Sequence, residues 1–238
     1  MTYDDDEDGS SDWSFPLWVL VHENRYADCR GYRYGSLLTS TMYSGQESIE
    51  GVVVFPSPLH AEIYCQQLHA LGEHQWRRRR LRDNEVSRIL ESTTTESLTL
   101  LVSLGFAASG VSQLLVDEKN TLVMPMAVLE VMVESQGSGR PVSLSCPMEQ
   151  AVLLHSLIRN NWLLLDAGDF DQQLHWMDAW CDSMCTDAAR LALDEAATIS
   201  FEDYHKTSGS EVSDIRLAIF EPLKREWRFQ KQKLANLH

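Results

Sequence analysis

Gly51-Val52-Val53-Val54-Phe55-Pro56-Ser57-Pro58 constrains the fold of this chain more than any other stretch. A short continuous apolar run rich in β-branched residues fits a buried strand. Ser57 can cap a helix, and Pro58 suits the first helical position, where its missing N–H costs nothing. Leu59, Ile63, Gln67 and Leu71 then step at helical spacing, and Gly72 stops the helix. Before this unit, Phe15, Leu17, Val19 and Val21 alternate, which predicts a first strand over about 15–22. Between them, Gly31, Gly35 and Gly45 among Tyr26, Tyr32, Tyr34 and Tyr43 predict a long tyrosine-rich excursion with a short hairpin.

Downstream, Val86, Ile89 and Leu90 fit a short helix. Leu98, Leu101, Val102 and Leu104 predict a second helix over 96–108, capped by Ser92 or Thr95. Val111–Val116 and Thr121–Met124 flank the polar Asp117-Glu118-Lys119-Asn120 and read as a β-hairpin. Residues 126–134 fit a strand or a short helix. Gln136-Gly137-Ser138-Gly139-Arg140 is a loop and the best boundary. After it, Pro141–Leu144 fits a strand, and Cys146-Pro147-Met148-Glu149 repeats the strand, small residue, proline, helix order of 51–59. Helical spacing then covers 148–165 (Val152, His155, Leu157, Trp162). The longest helical signal covers 171–199, where Leu174, Met177, Cys181, Met184, Ala188 and Leu191 form an apolar stripe. Ile215, Leu217 and Ile219 alternate like a strand, and Lys224–Leu237 fits a basic helix. The expected fold is α+β, an N-terminal α/β module with a mainly helical C-terminal half. Its parts are an acidic flexible tail (1–12), the module (13–136) and the helical half (137–238), packed on the module as one globule.

Charge narrows the function. The net charge is −15, and such a field repels nucleic acid and anionic lipid and attracts basic partners. Six acids and no base lie in residues 1–12, where they describe a tail rather than a site. Residues 166–203 hold ten acids against one base, Arg190. Arg77–Arg80 with Arg82 is the main basic spot. It reads as an intramolecular partner for that acidic segment or as a solvated helix end, rather than a phosphate grip. No apolar run reaches the roughly 20 residues of a membrane span. The acidic start does not resemble a secretory signal. Five cysteines with no CxxC pair read as reduced thiols of a cytoplasmic protein.

No glycine-rich phosphate loop, GxSxG or HExxH is present. His175 shares one helix side with Asp171, Asp178 and Asp182, a set that could hold a divalent metal or orient an imidazole as base. A solvated acidic face with a histidine in it accounts for the same pattern. Cys65 and His69 lie four apart on the first helix but come with no oxyanion donors, and His60, His69 and His74 read as surface histidines. Trp176 and Trp180 lie one turn apart beside Asp178 and Asp182. Aromatics flanked by carboxylates suit contact with a basic protein, and both rings also suit a wide buried face.

Trp18-Val19-Leu20, then Gly51–Pro58 with Ala61 in the helix, then Gly110-Val111 before Leu114-Leu115-Val116-Asp117, resembles SseB-like N-terminal modules. These are small α/β modules of bacterial secretion-associated and toxin-neighbourhood proteins. The resemblance covers residues 15–130 and carries no catalytic residues. It implies a bacterial, non-enzymatic binding protein such as a toxin-neutralising immunity protein. With the charge pattern, the expectation is an acidic protein without cofactor. It occludes the basic active-site surface of a cognate toxin or effector through Asp171, Trp176, Asp178, Trp180 and Asp182. The alternatives are a secretion-associated adaptor or chaperone-like factor, and a metal-dependent enzyme centred on His175 and its neighbouring aspartates.

Overall fold

The computed structural model describes residues 10–11, 17–23, 35–44, 47–93, 96–110, 112–134, 143–162, 182–208 and 215–231. The larger sheet contains β1 (Ser10–Ser11), β2 (Trp18–His22), β3 (Ser36–Leu37), β4 (Thr39–Ser44), β5 (Glu47–Phe55), β6 (Trp76–Arg80), β7 (Ser97–Ser103), β10 (Met126–Glu134) and β11 (Ser143–Pro147). Its main order is β1-β11-β10-β7-β5-β2-β3, with β4 paired to β5 and β6 paired to β2. The smaller sheet is built from β8 (Phe106–Ala108), β9 (Leu114–Val116), β12 (Thr198–Ser200), β13 (Arg216–Glu221) and β14 (Glu226–Lys231), in the order β12-β9-β8-β13-β14. The described helices are α1 (Pro58–Ala70), α2 (Asn84–Thr93), α3 (Met148–Trp162), α4 (Asp182–Asp194) and α5 (Phe201–Ser208).

The continuous apolar runs have a simple cause: both faces of the central strands are covered. Val19 and Val21 of β2, with Val52 and Val54 of β5, join one core with Val86, Ile89 and Leu90 of α2 and with Leu154 and Ile158 of α3. Their neighbours Trp18, Leu20, Val53 and Phe55 point the other way. They join a second core with α1, with Phe106 and Phe220 of the smaller sheet, and with Ala189 and Ala192 of α4. A strand wet on one face alternates apolar and polar; one buried twice cannot. Gly105 lets the chain pass from β7 into the other sheet. Its φ is +140°, and a Cβ there would sit 2.9 Å from the Ala218 carbonyl oxygen.

The strand–cap–helix unit forms as read. Ser57 has extended backbone and its hydroxyl accepts from the Leu59 N–H at 3.2 Å. Of the hairpin expected over 111–124, the polar turn forms, the first arm is a strand over Leu114–Val116, and the return arm meets it through one antiparallel bridge, Val116 with Leu122, and a Val123 N–H to Leu115 carbonyl bond of 2.9 Å. The Asp117 carboxylate accepts from the Lys119 and Thr121 N–H groups at 2.9 and 2.7 Å, and Asn120 takes a left-handed φ of 60°.

The mainly helical C-terminal half is corrected. β11 joins the larger sheet, and β12, β13 and β14 make up most of the smaller one. The basic helix expected from Lys224 is a strand over 226–231, antiparallel to β13 with Phe220 opposite Trp227. Period two decides it: Trp227 and Phe229 pack on the second core, with Glu226, Arg228 and Gln230 between them. The helix expected over 96–108 is β7 and β8. Leu100, Leu101 and Val102 are all fully buried because β7 has a core on each face, so the alternation that would mark a strand is absent. Residues 126–134 form a strand whose Ala127, Leu129 and Val131 are buried. In α3 the buried residues are Leu154 and Ile158, while Val152 is exposed. In α4 they are Cys185, Ala189 and Ala192, one position round from the expected stripe, and Met184 is exposed. The 136–140 loop, Cys29, Cys181 and residues 24–34 and 45–46 of the tyrosine-rich excursion lie outside the described residues. Among the described residues, no helix is long and apolar enough to cross a membrane.

Candidate functional site

Trp76–Arg80 is a strand, not a helix end, and that settles the fate of its arginines. β6 runs antiparallel to β2 with Arg78 opposite Leu20. Successive side chains therefore go to opposite faces. Arg77 and Arg79 go to one face and hold Glu85 of α2 at 2.6 and 3.2 Å; Arg77 also pairs with Glu23. Burial works to raise the Glu85 carboxyl, but the hydrogen bonds and charges of both arginines outweigh it and hold the group below the usual carboxylate range.

Arg78 goes to the other face and is only 5% exposed. Its Nε donates to Glu62 of α1 at 3.1 Å and its Nη2 donates to Asp182, the first residue of α4, at 2.6 Å. Its guanidinium lies 4.9 Å from the Trp18 ring centre. Glu62 also accepts from Gln66 at 2.8 Å and from Thr186 at 3.0 Å. The buried cation and anion are thus paired and further hydrogen-bonded, as a low-dielectric site requires. The arginine run does meet the acidic segment, at Asp182. Arg77, Arg78 and Arg79 are engaged by internal carboxylates, so the group they form is a clamp joining β6, α1, α2 and α4.

Cys65 and His69 are one turn apart, with Sγ 3.6 Å from Nε2. Both aim at a single acceptor: the thiol donates to the Trp76 carbonyl at 3.3 Å and Nε2–H donates to it at 2.8 Å. Burial, helped by the Glu62 charge and opposed by Arg78, pushes the thiol up to about 12. A nucleophilic cysteine needs the thiolate, which this burial disfavours, and through the shared Trp76 carbonyl the pair ties α1 to β6. His60 is not a surface histidine. It is buried in the second core with its ring edge-on to Phe106 at 5.5 Å, and burial pushes it down to about 3.

Of the residues expected to touch a partner, Asp182 is described, and Asp171, Trp176, Asp178 and Trp180 lie outside the described residues, as does His175. The Asp182 carboxylate is 97% exposed, yet one of its oxygens is held by Arg78. From it onward Asp187, Asp194, Glu195, Glu202 and Asp203 are all exposed, with Arg190 the single base between Asp182 and Asp203. Among the described residues, no three His, Cys, Asp or Glu side chains are grouped to hold a metal ion.

A second feature was not anticipated. α3 lies over the margin of the larger sheet, covers Ala127, Leu129 and Val131 of β10 with Leu154 and Ile158, and leaves Met148, Val152 and Leu153 exposed; Val128 and Met132 of β10, also exposed, alternate with those buried residues. Between α3 and β10 runs a groove of about 250 Å³ lined by Val128, Glu130, Leu153 and Leu157. No family model matches this chain, and neither a curated protein nor a solved structure is similar to it.

Proposed function

We propose that this chain is a non-catalytic binding protein of the immunity type, which neutralises a cognate toxin by covering its basic active-site surface. The observation that carries the reading is the exposed acidic run from Asp182 to Asp203 on α4, β12 and α5. Its carboxylates take the place of an anionic substrate, and α4 is anchored beneath them by Ala189 and Ala192 in the second core. Fields of this kind speed association and weaken with salt. The test is to purify the chain with its native partner and measure association rates for wild type and for Asp187→Lys combined with Glu195→Lys and Glu202→Lys. These side chains make no part of the Arg78 clamp. A loss of about tenfold or more in association rate, shrinking at high salt, is expected. A rate indifferent to both sinks the reading.

The groove beside α3 favours a second reading, an adaptor that holds an apolar segment. Binding that survives high salt and charge reversal but is lost in Leu153→Glu selects it.

A further inference from the structure

A strand at the margin of a sheet presents unpaired backbone N–H and C=O groups, and proteins guard such margins with brevity, charge, proline or bulges. Among the described residues, the strands other than β4 that stand outermost in their sheets are guarded. β1 and β3 are two residues long and β12 is three. β6 carries four consecutive arginines, and β14 carries Glu226, Arg228 and Lys231. β4 has no such device. Thr39-Ser40-Thr41-Met42-Tyr43-Ser44 runs for six residues without a charge or a proline, in a chain of net charge −15.

Among the described residues β4 pairs with β5 alone, from Thr39 opposite Val52 to Ser44 opposite Glu47. The Val53 N–H donates to the Leu38 carbonyl at 2.9 Å, which sets the alternation. Gly51 and Ile49 turn their backbone groups toward β4, and Ser40 and Met42 opposite them turn theirs toward β5. Thr39, Thr41 and Tyr43 therefore direct their N–H and C=O groups away from β5. Their side chains are exposed, that of Tyr43 by 78%.

We infer that β4 pairs with β4 of a second copy of this chain, antiparallel about a two-fold axis at Thr41. This register sets Thr41 opposite Thr41 of the second copy, and Thr39 opposite Tyr43 on either side. It joins all three outward residues of each strand. Thr–Thr and aromatic–β-branched pairs are favourable across strands. The neutral strand is what lets two strongly acidic copies touch, and a two-fold contact covers both margins and stops there. The whole-molecule charge still opposes approach, so screening strengthens the contact. That is opposite to the salt response of the acidic surface, so the two proposals fail separately.

The test is sedimentation equilibrium of the full chain over a concentration series at low and moderate salt. Thr41→Pro, Thr41→Lys and Thr41→Val are compared with wild type. Proline at an outward N–H costs no bond to β5, and circular dichroism checks that each variant folds. The expected result is a monomer–dimer equilibrium that tightens with salt. Thr41→Pro and Thr41→Lys weaken it by about tenfold or more, equivalent to roughly 1.4 kcal/mol, and Thr41→Val keeps it. A monomer throughout overturns the inference, as does a dimer that loosens with salt or ignores both the proline and the lysine. Should the proline variant fail to fold, the lysine variant decides.

Discussion

The chain writes one local arrangement twice, and the two copies meet opposite fates. β5, Ser57, Pro58 and α1 follow the same order as β11, Pro147 and α3. Ten of the thirteen residues of α1 are buried, because both sheets and α4 close around it. α3 buries Leu154 and Ile158 and leaves Met148, Val152 and Leu153 in solvent. A cap, a proline and helical spacing specify a helix after a strand. They do not specify how many of its sides are covered, which depends on segments far away in sequence. Burial on all sides turns α1 into a helix whose polar groups must be answered internally. His60, Glu62 and Gln67 are buried polar residues of α1, whereas the residues of α3 described as buried, Leu154 and Ile158, are both apolar.

The largest break in this contrast comes from acid. His60 is held neutral in the fold down to about pH 3 by burial, while in the unfolded chain it takes a proton below about 6.5. Between those values the unfolded state binds more protons, so stability falls as pH falls and levels off below the lower one. The full window is worth about 5 kcal/mol. Denaturant midpoints at a series of pH values should show this slope in wild type and lose it in His60→Gln. A variant with the wild-type slope assigns the acid sensitivity to other groups.

Next in size is the clamp. Arg78→Ala leaves Glu62 buried without its cation and should cost about 3–5 kcal/mol by urea unfolding. A cost below 1 kcal/mol would mean that water reaches Glu62 and that α1 is less enclosed than described.

The smallest test addresses the two helices directly. Leu59→Ala in α1 should cost about 2–5 kcal/mol, and Leu153→Ala in α3 should stay within about 0.5 kcal/mol. Equal costs would mean that α3 is as buried as α1.

The same contrast explains what could be read from the sequence. The 51–72 unit and the Asp117–Asn120 turn rest on local chemistry: a hydroxyl cap, a proline at the first helical turn, an aspartate folding back on its own backbone. These form as expected, whereas the arms around the turn pair only over 114–116 and at Leu122. β7 was mistaken for a helix because Leu100, Leu101 and Val102 are buried together, and a strand covered on both faces shows no period. β14 reads as part of a basic helix because Lys224, Arg225, Arg228 and Lys231 mask the alternation of Trp227 and Phe229. At the site, the attraction between the arginine run and the acidic segment was legible as complementary charge. That Arg78 alone crosses to Asp182, 104 residues away, was not. It depends on β6 being a strand, which sends alternate arginines to opposite faces.

The smaller sheet has a consequence for how the chain is made. β8 and β9 leave the growing chain early, but their neighbours β12 and β13 are encoded about a hundred residues later: Leu114 pairs with Thr198, and Ala108 with Arg216. Until the last of these strands emerges, Phe106, Leu114 and the α1 face against them have no cover. Synthesis therefore carries an unfinished second core until residues 216–231 have emerged. Two strands, 216–221 and 226–231, decide when that surface stops being available to other proteins. A slow codon or a premature stop just before them would act as a folding lesion, even though it falls after nearly all of the larger sheet is complete.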